Sequence, residues 1–291
     1  MKTTIGETIA AVLLAGFLCA PGVYGQGSGP GQEKPPNPPA QKDGQTTPPA
    51  KPASPADSSP PPVNAEEEAA YKALFEMKGT DFQRQIQMGE EFLKKYPDSR
   101  YRESVYSRLA NAYLSVGDVD KMLAAGEKAL ELKKEDVDVM ALMAFVLPRR
   151  TNPSALDGNR KLVKAEGYAK QTIELLAAMP KPANLTDEDF SKAKNEKLSM
   201  CHSGLGLVYY YRQKYAEAVP EFEQATHLAS SPDPVDFYLL GLALNAEKRF
   251  SDAATAFGRC GELGGPIQAE CKQRTEEAKK RVATQLAPSK P

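Results

Sequence analysis

Beyond residue 64 the apolar positions recur at spacings of three and four, as in amphipathic helices that turn one face to a core. Two stretches superimpose at a constant offset of 35 residues. Leu205-Gly206 matches Leu240-Gly241, Tyr209 matches Leu244, and Tyr215 matches Phe250. Ala218 then matches Ala253, Phe222 matches Phe257 and Ala225 matches Cys260. Small residues recur where two helices must approach, and large ones where a neighbouring helix must be filled against. The pattern predicts an all-α chain of stacked helix pairs. Upstream, Leu109-Ala110, Tyr113, Gly117 and Ala129 place a further unit over residues 103–136, with Met122 and Gly126 departing from the pattern. Residues 65–78 and 81–96 read as a pair closed by Pro97, and Asn64 with Glu67 three residues on signals the start of its first helix.

The unit over 137–198 is irregular. Residues 137–147 read as its first helix and 161–178 as its second, separated by an insertion at 148–160 rich in Arg, Asn and Pro. A second insertion, 179–185, ends at Thr186-Asp187-Glu188-Asp189, which has the form of a capping box and opens a helix running through Arg212. Loops of this length are either functional or tolerated at the edge of an array. After Gly264-Gly265-Pro266, residues 267–286 are charged on most faces, as suits a helix that covers the last apolar surface. About five helix pairs and this cap account for residues 65–287, with 288–291 as a tail.

The pattern L-G-x2-Y followed by A-x3-F resembles the tetratricopeptide repeat family, in its exported bacterial form. The resemblance implies a right-handed α-solenoid of antiparallel helix pairs with a C-terminal capping helix, its first helices lining a concave groove for an extended peptide or a helix. The family's groove positions fall on Ser107, Arg108, Asn111 and Leu114 in one unit, and on Ser203, Leu207, Tyr210 and Tyr211 in another. In the last unit they fall on Tyr238, Leu242 and Asn245. Family members that hold a C-terminal carboxylate use Lys, Arg and Asn from three adjacent helices. Here Arg108 and Asn111 resemble that clamp while Leu207 and Leu242 replace its later polar members, so a chaperone-tail reader is not expected. Tyr209 belongs to the core, and Tyr210 and Tyr238 are the expected aromatic anchors of the groove. Residues 92–113 also resemble repeats of bacterial envelope proteins, including outer-membrane-assembly lipoproteins.

The first 64 residues have a different character. Lys2 precedes an apolar run over 9–20, which is too short for the roughly 20 residues of a membrane span and fits a signal peptide. Val23-Tyr24-Gly25 offers a cleavage site before Gln26. Lipidation at Cys19, after the poorly fitting Gly16-Phe17-Leu18, and an uncleaved anchor are the alternatives. Residues 26–64 hold twelve of the 24 prolines, with Val63 as the one large aliphatic. They read as a disordered spacer with polyproline II bias, or as a ligand for a proline-reading module at Pro35-Pro36 and Pro38-Pro39.

With Lys+Arg 37 against Asp+Glu 38, the charge balance argues against a nucleic-acid or anionic-membrane binder. No nucleophile, metal or phosphate-loop motif occurs, and the carboxylate runs 66–68 and 187–189 sit at helix starts, where they favour the macrodipole. Neither cofactor nor metal is expected. Cys201 precedes His202, but His227 is the sole other histidine, so Cys201 reads as a packing residue. Cys260 and Cys271 straddle the Gly-Gly-Pro turn and are either a disulfide pinning the cap or two buried thiols. The reading is a non-enzymatic scaffold, exported to the periplasm or cell envelope, that binds another protein or peptide. The mature chain has no transmembrane span in this reading. The alternatives are a structural role in outer-membrane or envelope assembly, and a small-ligand pocket near Arg149, Arg150 and Arg160.

Overall fold

Side-chain caps set six of the helix starts. In the computed structural model, which describes residues 64–77 and 80–286, Asn64 Oδ1 accepts from the Glu66 amide at 3.0 Å and opens α1, Ala65–Glu76. Asp81 caps α2, Phe82–Lys95, and Asp118 caps α4, Val119–Leu132, each accepting from the amide three residues on. Between them lies α3, Arg102–Ser115. Asp136 caps α5, Val137–Arg149, which is followed by α6, Gly158–Ala178. Thr186 caps α7, Asp187–Tyr211, and Asp233 caps α9, Pro234–Ala246. The remaining helices are α8, Tyr215–Leu228, α10, Phe250–Leu263, and α11, Gln268–Leu286. No strand occurs among the described residues. The expected signal peptide, most of the spacer, the Cys19 alternative and the tail lie outside them.

Each helix packs on the next in sequence, and the first helices α3, α5, α7 and α9 also touch in succession. The architecture is therefore all-α, a stack of adjacent helix pairs. Three pairs turn on the same backbone device. Gly117, Gln213 and Lys248 take φ of 80°, 59° and 60°. In each turn the next amide bonds back five residues at 2.9 Å, from Asp118 to Tyr113, Lys214 to Tyr209 and Arg249 to Leu244. The small-large recurrence has an equally direct cause. A Cβ on Gly206 would stand 2.7 Å from the Phe222 ring, and one on Gly241 2.6 Å from Phe257, so each glycine admits the aromatic of its partner helix.

One large core cluster runs from Leu74 to Val146 and another from Leu207 to Ala278. Small clusters of Ala141, Ala144, Ala169, Cys201 and Leu205, and of Leu147, Leu162, Ala165 and Val208, join them. The junction differs from the expected loop at 148–160. Pro148 and Arg149 belong to the last turn of α5, and α6 begins at Gly158, leaving residues 150–157 as the connection. Proline lacks the amide that Ala144 O would otherwise accept. Gly204 of α7 takes up that space, since a Cβ there would fall 2.2 Å from Ala144 O. The helix pair α5 and α7 is thereby brought unusually close.

At the join of α3, α4 and α5, Glu103 faces Asp136 and lies 3.9 Å from Lys133. Burial, with a hydrogen bond to Asp136, pushes the Glu103 carboxyl from 4.5 up to about 7. The folded chain thus keeps a proton that the unfolded chain has released. The corresponding stability is complete below the unfolded value of 4.5 and is lost as pH rises through about 7. In chemical unfolding series, wild type should lose stability over that window relative to Glu103→Gln. Parallel pH profiles of the two proteins would contradict this assignment.

Candidate partner-binding face

The positions assigned to a groove lie on the first helices α3, α7 and α9, and the structure divides this face into two unlike halves. Toward the C-terminus the face is filled. Ser203 and Leu207 are fully buried, and Tyr238 is 1% exposed, its ring 5.7 Å from that of Phe257. Tyr238 is therefore a core residue, which corrects its expected role as a groove anchor. The physical reason is that α9 is apolar on nearly all sides and packs between α8 and α10, with Glu270 of the terminal helix reaching the Tyr238 hydroxyl. Tyr210 and Tyr211 are half-buried and pack against the same cluster. Tyr210 stands edge-on to Tyr215 at 5.3 Å, and burial lifts the Tyr211 hydroxyl to about 12. Leu242 and Asn245 remain half-buried.

A buried ion pair closes this half. Arg149, at the end of α5, donates to Asp236 of α9 at 2.8 Å and to Ser203 of α7 at 2.6 Å, and Ser203 also donates to Asp236. Its second nitrogen donates to Phe145 O at 2.9 Å, and the guanidinium lies 3.6 Å from the Phe145 ring centroid. Both charged side chains are about 95% or more enclosed. Burial outweighs the arginine and raises the Asp236 carboxyl to about 6. Arg149 thus ties three consecutive first helices together and is not part of an anion pocket. Arg150 pairs with Asp120 at 3.6 Å and Arg160 is exposed, so the enclosed Arg149 does not share a site with them as the alternative of a small-ligand pocket would need.

Toward the N-terminus the face stays accessible. Ser107, Arg108, Asn111 and Leu114 of α3 are all half-buried, as are Phe75 of α1 and Phe145 of α5. Arg108 donates to Met77 O at 3.1 Å and covers the Phe75 ring at 5.1 Å. Its Nε is enclosed with no hydrogen-bond partner among the described residues, and burial lowers its pKa. No carboxylate of the described residues lies within ion-pair distance of it, unlike Arg100, Arg149, Arg212 and Arg274. Asn111 turns its amide onto Ser107 O at 3.0 Å. An aromatic flank, with Tyr71 stacked on Tyr101 at 3.9 Å, continues this surface beyond what the repeat pattern marks.

The groups with chemical reactivity are engaged elsewhere. The Cys201 thiol is buried and lifted to about 12. His202 Nδ1 meets Glu221 at 2.7 Å. Among the described residues no three His, Cys, Asp or Glu converge on a metal-sized site, and no helix is long and apolar enough to cross a membrane. Cys260 and Cys271 are joined by a disulfide with Cα atoms 5.8 Å apart.

Comparison with known proteins places a tetratricopeptide repeat at residues 103–136, the unit formed by α3 and α4. No curated protein matches the chain. Among solved structures, a thermophilic TPR protein of Thermus thermophilus is 16% identical with a TM-score of 0.45, over 74% of this chain and 99% of that one. PilW, a widely conserved type IV pilus biogenesis factor, is 14% identical with a TM-score of 0.45, over 78% of this chain and 97% of that one. Yeast Tom70 is 16% identical with a TM-score of 0.32, over 76% of this chain and 48% of that one.

Proposed function

We propose that this chain, which carries a tetratricopeptide repeat at residues 103–136, is an exported, non-enzymatic scaffold that binds a protein segment across α1, α3 and α5. The observation that carries the reading is Arg108, half-buried on an aromatic ring with no acidic partner among the described residues. A guanidinium in that state is a poorly compensated charge, and a carboxylate or carbonyl supplied by a bound segment would complete it. Phe75 supplies apolar contact beside it, and Leu114 of the same helix is half-buried, a combination common at the centre of protein interfaces. Export is supported by the apolar run at residues 9–20 and by the Cys260–Cys271 bond, which persists in oxidising compartments.

The test is affinity capture from an envelope extract of the source cells. Arg108→Ala/Asn111→Ala is compared with wild type and with Lys128→Ala/Glu131→Ala, a pair exposed on α4. A partner kept by wild type and by the α4 variant should be weakened at least tenfold by the α3 variant, about 1.4 kcal/mol or more. Equal retention by all three folded proteins would remove Arg108 and Asn111 from the binding face.

A further inference from the structure

The terminal helix α11 does more than end the stack. It leaves α10 through Gly264 and Gly265 at φ of 82° and 84°, a backbone that side-chain-bearing residues take only with strain. It then lies against both helices of the last pair. Cys271 and Ala278 are its fully buried apolar side chains, with Ile267 just before it. On the α9 side, Tyr238 Oη donates toward Glu270 at 3.5 Å, and Arg281 Nη1 donates to Asn245 Oδ1 at 3.1 Å. The Arg281 guanidinium also stands 5.6 Å from the Phe250 ring. Arg274 pairs with Glu270 at 2.8 Å and Glu277 at 3.2 Å, and its charge acts on both Tyr210 and Tyr238. Two of the positions assigned to the groove, Tyr238 and Asn245, are therefore held by this chain's own helix.

On the apolar side that hold runs through Ile267, Cys271 and Ala278, along a helix that packs closely on α10. Helix α9 buries Val235, Tyr238, Leu239, Leu240, Ala243 and Leu244, whereas much of α11 is spent on solvent-facing pairs such as Gln273–Glu277 and Lys279–Glu276. The covalent bond between Cys260 and Cys271 reinforces that packing, because it prevents α11 from separating from α10.

We propose that α11 is a strap latched by Cys260–Cys271: the disulfide closes it over Tyr238 and Asn245, and the dithiol form lets it open. The exchange is with a dithiol–disulfide couple. On closing, the two thiols lose two electrons and two protons to a partner disulfide, which becomes a dithiol, and reduction runs the reverse. Both sulfurs are fully enclosed in the closed form, so exchange proceeds through the open strap. The effect of opening on partner binding rests on the scaffold reading; the latch itself does not.

Hydrogen exchange on the purified chain tests the latch, comparing the oxidised protein with Cys260→Ser/Cys271→Ser and Cys260→Ala/Cys271→Ala. Amides of α11 should exchange about a hundredfold faster in both variants, while those of α3 to α6 stay within about threefold. Unchanged α11 protection in both variants would overturn the proposal, and so would a uniform rise across all helices, which marks a global staple. Partner capture by the same variants is read separately. Fast α11 exchange with unaltered capture keeps the strap and removes only its influence on binding.

Discussion

Replacing Arg149 by leucine should cost about 3–5 kcal/mol of folding stability. The guanidinium is enclosed between α5, α7 and α9 and donates to Asp236, Ser203 and Phe145 O. Its removal leaves the Asp236 carboxylate buried with Ser203 as its neutral partner. That charge must then be desolvated without compensation or take up a proton. Asp236 is already raised to about 6 beside the arginine, and loss of the arginine raises it further. The deficit of Arg149→Leu should therefore shrink as pH is lowered, since protonation relieves the cost. Arg149→Leu/Asp236→Leu should recover most of the loss, because two apolar side chains of similar reach replace a pair whose attraction only offsets its desolvation. Urea midpoints at pH 7 and pH 5 for the three proteins decide it. A single-variant loss below about 1 kcal/mol would mean that the pair is not enclosed as described.

Truncating Phe222 to alanine should cost a comparable 3–5 kcal/mol, roughly. Phe222 is fully buried, and its ring fills the space that Gly206 leaves open at the crossing of α7 and α8. Alanine would leave a cavity in a place where α7 is also fixed against α5 through Gly204, so little relaxation is available. Phe257 makes the same contact with Gly241 one pair later, and Phe257→Ala should lose as much locally. Its effect should concentrate in α9 to α11, since in a stacked array each pair is held by its neighbours. Calorimetry with hydrogen exchange separates the two outcomes. Loss under about 1.5 kcal/mol for Phe222→Ala would show that the crossing collapses around the gap.

The repeated crossings, the caps and the terminal helix are legible in the sequence, and contacts between residues far apart in the chain are not. The 35-residue offset reports Gly206–Phe222 and Gly241–Phe257 because the same close crossing is built twice. Asn64 and Thr186 announce helix starts because a short polar side chain is needed to satisfy free amides there. Gly117 announces a left-handed turn, yet Gln213 and Lys248 hold the same backbone without a glycine to mark it. Pro148 conceals the end of α5. Proline usually marks a helix boundary, and only the tertiary approach of Gly204 shows why it is accommodated in the final turn. Arg149 and Asp236 lie 87 residues apart and read locally as a loop arginine and a first-turn acid. Tyr238 is misplaced by the repeat pattern because a position rule for groove residues carries no information about Phe257 packing on its ring or Glu270 of the terminal helix reaching its hydroxyl. Arg108 and Asn111 follow from the same rule and are half-buried on α3, where no described helix folds over the α1 end.

The most direct test of the scaffold account is site-specific photo-crosslinking in the source cells, with a benzophenone side chain placed singly at positions 107, 111, 114 and 128. The account predicts adducts to one protein from positions 107, 111 and 114 on α3 and none from 128 on the outer face of α4. Adducts from 128 alone, or the same pattern from all four positions, would contradict a partner bound across α1, α3 and α5.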